Sequence, residues 1–145
     1  MIAFDADVLI YAADAAHPLG RRIERLFDVD PEVQPFVGVG SVNLLPEVLA
    51  KPLRLEQGDE SLALIGFLGR IELLAVDAAT ARLALTLAAS YALRPADAVH
   101  LATAVQAGAD HFLTNNRKDF RKSIIEIDVV YPEDLPEPQG AGARP

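Results

Sequence analysis

The chain has 145 residues, 51% of them apolar and 23% charged, and this length suits one domain with a sizeable core. It contains no Cys, which excludes disulfides, zinc–thiolate sites and thiol catalysis. Its 13 Lys and Arg against 21 Asp and Glu give a net charge of −8, which argues against loose, sequence-independent binding of nucleic-acid phosphates.

Apolar patterning predicts two strands and three helices up to Arg70. A further apolar run covers Val8–Ala13. Ser41 is the predicted N-cap of the second helix, and Pro46 is expected to bend that helix near its start. The strands are predicted over Ile2–Ala6 and Val33–Val39, and the helices over Pro18–Phe27, Val42–Ala50 and Ser61–Arg70.

The second half of the chain predicts three strands and two helices. Pro95 is expected to start the second of these helices and Gly108 to end it. The strands are predicted over Glu72–Val76, His111–Thr114 and Ile124–Tyr131, and the helices over Ala79–Tyr91 and Ala96–Ala107. The chain from Pro132 onward is rich in Pro and Gly, so we expect one domain over residues 1–135 and a disordered tail over residues 136–145.

Strands that alternate with helices predict an α/β fold around a mostly parallel sheet. Ligands of such sheets bind beyond the carboxyl ends of the strands. The sequence shows neither a basic and apolar leader at Met1 nor an apolar run of membrane-spanning length. We therefore expect a soluble, cytoplasmic protein.

Acidic side chains fall where this rule places a site. Converging carboxylates repel one another unless a divalent cation compensates their charge, and oxygen ligands without Cys or a His cluster favour Mg²⁺ or Mn²⁺. Taken singly, each has a structural explanation: Asp97 as a partner of the helix dipole, and His100 as a hydrogen-bonded helix residue. The joint pattern favours a site, and its acids are Asp5, Asp7, Glu47, Asp97 and Asp119.

Four segments, in this order and spacing, resemble the PIN domain family, above all the toxin subunits of VapBC-type toxin–antitoxin pairs. The resemblance runs from about residue 1 to residue 135. It implies a three-layer α/β/α sandwich and an endoribonuclease that depends on Mg²⁺ or Mn²⁺. It also implies an RNA substrate, a small antitoxin partner and a homodimer, with no membrane partner. Since an unpaired backbone enters a compact cleft more easily than a duplex, we expect single-stranded RNA or a tRNA-like loop. The segments are Phe4–Tyr11, Ser41 with Glu47–Leu49, Ala96–Ala104 and Phe112–Phe120.

The resemblance also implies roles for particular residues. Many relatives carry Asp where this chain has Asn116, so the fourth acidic role is assigned to Asp119, with Asn116 as a candidate neutral ligand. Asp7 stands where relatives usually carry Asn or Ser, and it adds a carboxylate to the candidate metal ligands. The implied catalytic and metal-binding acids are Asp5, Glu47, Asp97 and Asp119; the implied substrate contacts are Ser41, Thr114, Asn115, Arg117 and Lys118, within a basic run that continues to Arg121 and Lys122.

Two alternatives remain open at this point. The segment Phe4–Leu9 resembles the first motif of haloacid-dehalogenase-type phosphatases, in which the first Asp is a nucleophile; that role would fall on Asp5. Against this reading, the chain lacks a late pair of acids and a suitably placed catalytic Lys. The second alternative is a PIN-fold binding module with weakened metal ligands, which pairs through apolar surface such as the helix Ala79–Tyr91.

Overall fold

A five-stranded sheet forms the centre of the fold in the computed structural model, which describes residues 1–137. The strands lie in the order β3-β2-β1-β4-β5, and every neighbouring pair is parallel. This confirms the predicted α/β class with a parallel sheet. The strands are β1 (Ile2–Phe4), β2 (Gly38–Ser41), β3 (Ile71–Leu74), β4 (His111–Leu113) and β5 (Asp128–Val130).

Six α-helices connect and cover these strands. Short 3₁₀ turns at Arg25–Phe27 and Pro132–Asp134 complete the described secondary structure. None of the helices within residues 1–137 is long and apolar enough to cross a membrane. The helices are α1 (Ala6–Ala13), α2 (Gly20–Glu24), α3 (Leu44–Arg54), α4 (Gly58–Leu68), α5 (Ala78–Tyr91) and α6 (Pro95–Gln106).

Alternating side chains along the strands build a separate core on each face of the sheet. Ala3 and Phe112 point to the face covered by α5 and α6, whereas Phe4 and Leu113 point to the face covered by α1 to α4. A parallel sheet with both faces covered favours apolar strands, and β1 is apolar throughout, whereas β4 begins with the exposed His111 before the buried Phe112 and Leu113. The result is the three-layer α/β/α sandwich.

The second strand is shorter than predicted and begins at Gly38 rather than at Val33. Pro35 has no backbone N–H to donate to a sheet, and Val33 is 79% exposed. The irregular segment before β2 is held by Arg70, whose guanidinium donates to four backbone carbonyls. The acceptors are the oxygens of Phe27, Val29, Gln34 and Pro35, at 3.3, 2.9, 3.0 and 3.0 Å.

The start of α3 also differs from the prediction. Ser41 ends β2 instead of capping the helix, and its hydroxyl accepts the N–H of Asn43 at 3.1 Å. Asn43 is the cap residue, and α3 runs past Ala50 to Arg54. Pro46 lies in the first turn, where a missing N–H removes no helical hydrogen bond, so it gives no reason for a bend.

The apolar run after β1 forms α1, which opens directly on Asp5. The Asp5 carboxylate caps the helix by accepting the N–H of Ala6 at 2.8 Å. Gly108, with a φ of 70°, follows the last turn of α6 as predicted. Ala92 takes the same left-handed conformation after α5, with a φ of 54°.

Other predicted boundaries shift by a few residues. The last strand covers only Asp128–Val130, and residues 125–127 before it form bends. The predicted tail lies outside the described residues beyond Glu137, and its disorder stays a prediction.

The strand order fixes where a site can form. From β1 the chain moves outward through β2 to β3, and then crosses back to place β4 on the other side of β1. Ligands of open parallel sheets bind at the carboxyl end of such a reversal, here between β1 and β4. Asp5 and Thr114 are the first residues beyond these two strand ends.

Candidate active site

Asp5 is held rigidly at the carboxyl end of β1. Its side chain is 5% exposed, and one carboxylate oxygen accepts the Thr114 hydroxyl at 2.7 Å. Its backbone N–H donates to the carbonyl of Leu113 at 3.0 Å, which extends the β1–β4 pairing by one residue. The adjacent strand end therefore fixes both the backbone and the carboxylate of Asp5.

Asp7 lies one residue into α1 and faces the loop after β4. One of its carboxylate oxygens accepts the backbone N–H of Asn115 at 3.0 Å. Its other oxygen is buried and has no hydrogen-bond partner within residues 1–137. The Asn115 side-chain amide donates to the Tyr11 hydroxyl at 3.5 Å, so Asn115 lies against α1 through both backbone and side chain.

Asp97 and Asp119 share one cation, Arg94. The Arg94 guanidinium lies 3.4 Å from an Asp97 carboxylate oxygen and 3.5 Å from one of Asp119. Asp119 also accepts the side-chain amide of Asn116 at 3.0 Å, and the backbone N–H of Asn116 donates to the Thr114 hydroxyl at 3.1 Å. The loop after β4 thus links Asp119 to the same hydroxyl that holds Asp5.

Glu47 and His100 form a close pair between α3 and α6. His100 Nε2 lies 2.9 Å from a carboxylate oxygen of Glu47, and the His100 side chain is only 1% exposed. The direction of this contact does not suit a ring N–H bond, so neither nitrogen of His100 has a hydrogen-bond partner within the described chain. The polar partner of His100 is therefore the candidate acid Glu47, and the structural explanation of His100 stays open beside a functional one.

These acidic groups influence one another electrostatically. Burial is the main reason that the pKa of Asp5, Asp7 and Asp97 is raised above the ordinary value of 3.8. The pKa of Asp7 rises to about 7, and the neighbouring charge of Asp5 adds to the effect of burial. For Asp97, the charges of Asp119 and Glu47 also raise the pKa, whereas Arg94 and His100 lower it. The structure brings all four predicted acids, together with Asp7, into one electrostatic unit.

Unsatisfied polar atoms are concentrated here. Within residues 1–137, six buried side-chain oxygen and nitrogen atoms lack a hydrogen bond, and five of them belong to this site. Such atoms are rare in folded proteins, and they mark catalytic groups or bound ions and waters. The five are an oxygen of Asp7, of Asp97 and of Asn115 and both ring nitrogens of His100; the sixth is the hydroxyl of Ser61.

The donor set fits a hard divalent cation in its chemistry. The unpaired carboxylate oxygen of Asp7 and the raised pKa values of Asp7 and Asp97 indicate excess negative charge that a cation would neutralise. No group of three or more His, Cys, Asp or Glu side chains in the described part of the chain is gathered closely enough to hold a metal ion. The Arg94 guanidinium occupies the space between Asp97 and Asp119 instead, and supplies the positive charge there.

The predicted substrate contacts lie around this unit in different environments. Ser41 and Thr114 are almost completely buried, at 1% and 0% exposed, and both hydroxyls hydrogen-bond the protein's own backbone. Arg117 pairs with Glu133. Lys118 is exposed and has no acidic partner within residues 1–137. The roles assigned to these residues stay predictions.

Two residues at the site had no functional role in the sequence analysis. Arg94 was not predicted, although a cation three positions before Asp97 is placed to reach it across the first turn of α6. His100 lies three positions after Asp97 on the same helix, and that spacing was the available signal. Its partner Glu47 could not be inferred, because the contact joins two helices distant in sequence.

The geometry defines a class of protein: a parallel α/β domain with a cluster of carboxylates at the switch point of its sheet. Over residues 2–123 the sequence matches the PIN domain family, and the chain belongs to that family. The match covers all four predicted acids. PIN domains are generally nucleases, and they generally use divalent metals.

A solved structure shares this fold. A chain of a toxin-antitoxin complex from Klebsiella pneumoniae superposes with a TM-score of 0.69 at 23% sequence identity, over 92% of this chain and 98% of the other. No curated protein sequence is significantly similar to this chain. The structural similarity covers nearly the whole of both domains, and it establishes the fold.

Proposed function

We propose that this protein is a divalent-metal-dependent endoribonuclease and the toxin of a toxin–antitoxin pair. The observation that carries the proposal is the cluster of buried polar atoms without hydrogen bonds on Asp7, Asp97 and His100, at the switch point of a PIN domain. A protein keeps such a cluster at a cost in stability, since each unsatisfied group costs about 1–3 kcal/mol. A functional requirement for the charges accounts for that cost.

Asp5, Glu47, Asp97 and Asp119 are the groups that would hold Mg²⁺ or Mn²⁺, with Asp7 and Asn116 as further candidates. When bound, the cation supplies Lewis acidity and balances the charge that builds up on the phosphate during hydrolysis. Thr114 orients Asp5, the Asn115 amide orients Asp7, and Asn116 orients Asp119. The exposed Arg94 guanidinium is placed to move from these acids to a substrate phosphate.

The proposed partners follow from the family and the structural neighbour. That neighbour belongs to a toxin-antitoxin complex, which supports a small antitoxin as the partner of this chain. Single-stranded RNA is the proposed substrate, because an unpaired backbone can enter a compact cleft that a duplex cannot. A homodimer and a cytoplasmic location complete the proposal; exposed Leu85 on α5, at 72%, offers apolar surface for pairing.

The decisive experiment measures RNA cleavage by purified protein with Mg²⁺ or Mn²⁺, with and without a chelator. Asp5→Asn and Asp97→Asn are expected to lower the cleavage rate at least 100-fold, whereas the matched Asp59→Asn change at an exposed position of α4 has no effect. Undiminished cleavage by the Asp5→Asn and Asp97→Asn proteins contradicts the catalytic assignment.

The same samples separate the two alternatives. A phosphatase that uses Asp5 as its nucleophile would form a covalent phosphoenzyme at that residue. A binding module would bind RNA or a partner without metal-dependent cleavage. We expect metal-dependent cleavage with no phosphate trapped on Asp5.

A further inference from the structure

The basic run after β4 is divided between two surfaces. Arg117 and Lys122 form ion pairs with Glu133 and Asp134 of the final 3₁₀ turn. Both also lie over the ring of Tyr131, at 4.7 and 5.1 Å from its centre. Their charges are thus largely balanced within the domain, and the pKa of each is raised by its acidic partner.

Lys118 and Arg121 lie on the second of these surfaces. Neither forms an ion pair with any acid in residues 1–137, and both line a cavity of about 460 Å³ between this loop and the end of α5. Asp119 forms part of the wall, so the cavity opens beside the candidate active site. Ser90 and Ser123 add hydroxyl groups that can donate to an anion.

The cavity is also firmly built. Tyr91 lies in its wall with its hydroxyl fixed: the hydroxyl donates to the Glu126 carboxylate, at 2.6 Å to the nearer oxygen, and accepts the N–H of Ile125 at 3.3 Å. These bonds tie the end of α5 to the loop that carries Lys118 and Arg121. A cavity of this size falls in the range of small-ligand sites, roughly 300–1,000 Å³, and is large enough for one nucleotide.

We infer that this cavity, the Lys118–Arg121 subsite, binds a backbone phosphate and its nucleotide next to the scissile bond of the RNA. The inference rests on the proposed function and extends it. Two cations without acidic partners, in one cavity beside Asp119, are the groups that a phosphodiester needs. Asp119, the acid in the wall, is already bound by Asn116 and Arg94.

The test compares two double substitutions that change the net charge equally. Lys118→Gln with Arg121→Gln removes both cations of the subsite. Lys51→Gln with Arg54→Gln removes two cations from the last turn of α3, which begins at the carboxyl end of β2 and runs away from it. Both are made in the Asp97→Asn protein, so that bound RNA is not cut.

Affinity for a fluorescent single-stranded RNA is measured against salt concentration. Each lost phosphate contact lowers the salt slope by about 0.7, so loss of the single phosphate held by the subsite is expected to lower it by about 0.7. The dissociation constant should rise at least tenfold at low salt. The α3 pair should leave the slope unchanged.

Equal losses of RNA affinity in the two double variants would overturn the subsite, because they would show that only the net charge of the protein matters. If the two substitutions weakened the binding of single-stranded DNA but not that of RNA, the assignment to RNA would be overturned. A protein that neither binds nor cleaves any RNA would refute the proposed function itself. RNA cleavage by the protein with its native Asp97, together with an unaltered slope in the Lys118→Gln and Arg121→Gln variant, refutes the subsite alone.

Discussion

Replacing Asp7 by Asn should make the metal-free protein more stable at pH 8. Asp7 is partly buried beside Asp5, and burial together with that neighbouring charge raises its pKa to about 7. Asn has nearly the same shape, and its carbonyl oxygen can still accept the N–H of Asn115, which now bonds Asp7 at 3.0 Å. The substitution therefore removes the charge while it preserves the contact.

The size of the effect follows from linkage. Because the folded pKa lies above the ordinary 3.8, the folded state holds its proton more tightly than the unfolded chain. The stabilisation is complete below pH 3.8 and is lost as the pH rises towards 7. The full difference corresponds to about 4 kcal/mol. Water around a partly buried carboxylate reduces it, so we expect a gain of about 2–4 kcal/mol for Asp7→Asn at pH 8.

The assay is urea unfolding of both proteins in a chelator, at pH 4 and at pH 8. We expect the two proteins to differ little at pH 4, and the substituted protein to be clearly more stable at pH 8. Added Mg²⁺ should narrow the gap if Asp7 is a ligand, because a carboxylate binds the ion better than an amide. Equal stability at pH 8, or a loss there, would refute the electrostatic account of Asp7.

Three further predictions concern single contacts. Thr114→Val removes the hydroxyl that binds Asp5. The free energy of unfolding should fall by about 1–3 kcal/mol, and RNA cleavage should become at least tenfold slower. Arg70→Lys keeps the charge but cannot reach four carbonyls at once, and should lower the free energy of unfolding by roughly 2 kcal/mol. Ala92→Gly removes the strain of a non-glycine residue with a positive φ, and should raise the free energy of unfolding by up to about 1 kcal/mol.

Each of these changes has a control. Thr114→Ser keeps the hydroxyl and should preserve activity; equal damage by Ser and Val would show that the hydroxyl is not responsible. Arg70→Ala should be at least as harmful as Arg70→Lys, and a harmless Lys would refute the multiple-acceptor argument. Ala89→Gly, at an exposed position inside α5, should destabilise by roughly 0.5–1 kcal/mol, opposite in sign to Ala92→Gly.

The acids of the site could be predicted because local rules place them. Asp5 follows an apolar strand, and Asp97 occupies the first turn of a helix that begins at Pro95, so the α/β pattern alone brings both to one edge of the sheet. The order of the strands and the PIN family membership fit that prediction.

The contacts that modify these acids could not be predicted in this way. His100 meets Glu47 only because α3 and α6 lie on opposite sides of the reversal in the sheet. The pairing of Arg117 with Glu133 depends on how the final 3₁₀ turn packs against the loop after β4. The late start of the strand predicted over Val33–Val39 has the same origin, since the Arg70 side chain binds the Pro35 carbonyl from a position 35 residues away.

The bond between Thr114 and Asp5 joins residues 109 positions apart, and this separation has a consequence for the order of folding. Strand β1 is made first, but its neighbour β4 is among the last elements to be synthesised. Closing so long a loop costs more entropy than any local contact in the domain. On the ribosome, the centre of the sheet therefore stays open until β4 has emerged. Whatever reaction the site carries out, a nascent chain cannot perform it before the domain is complete.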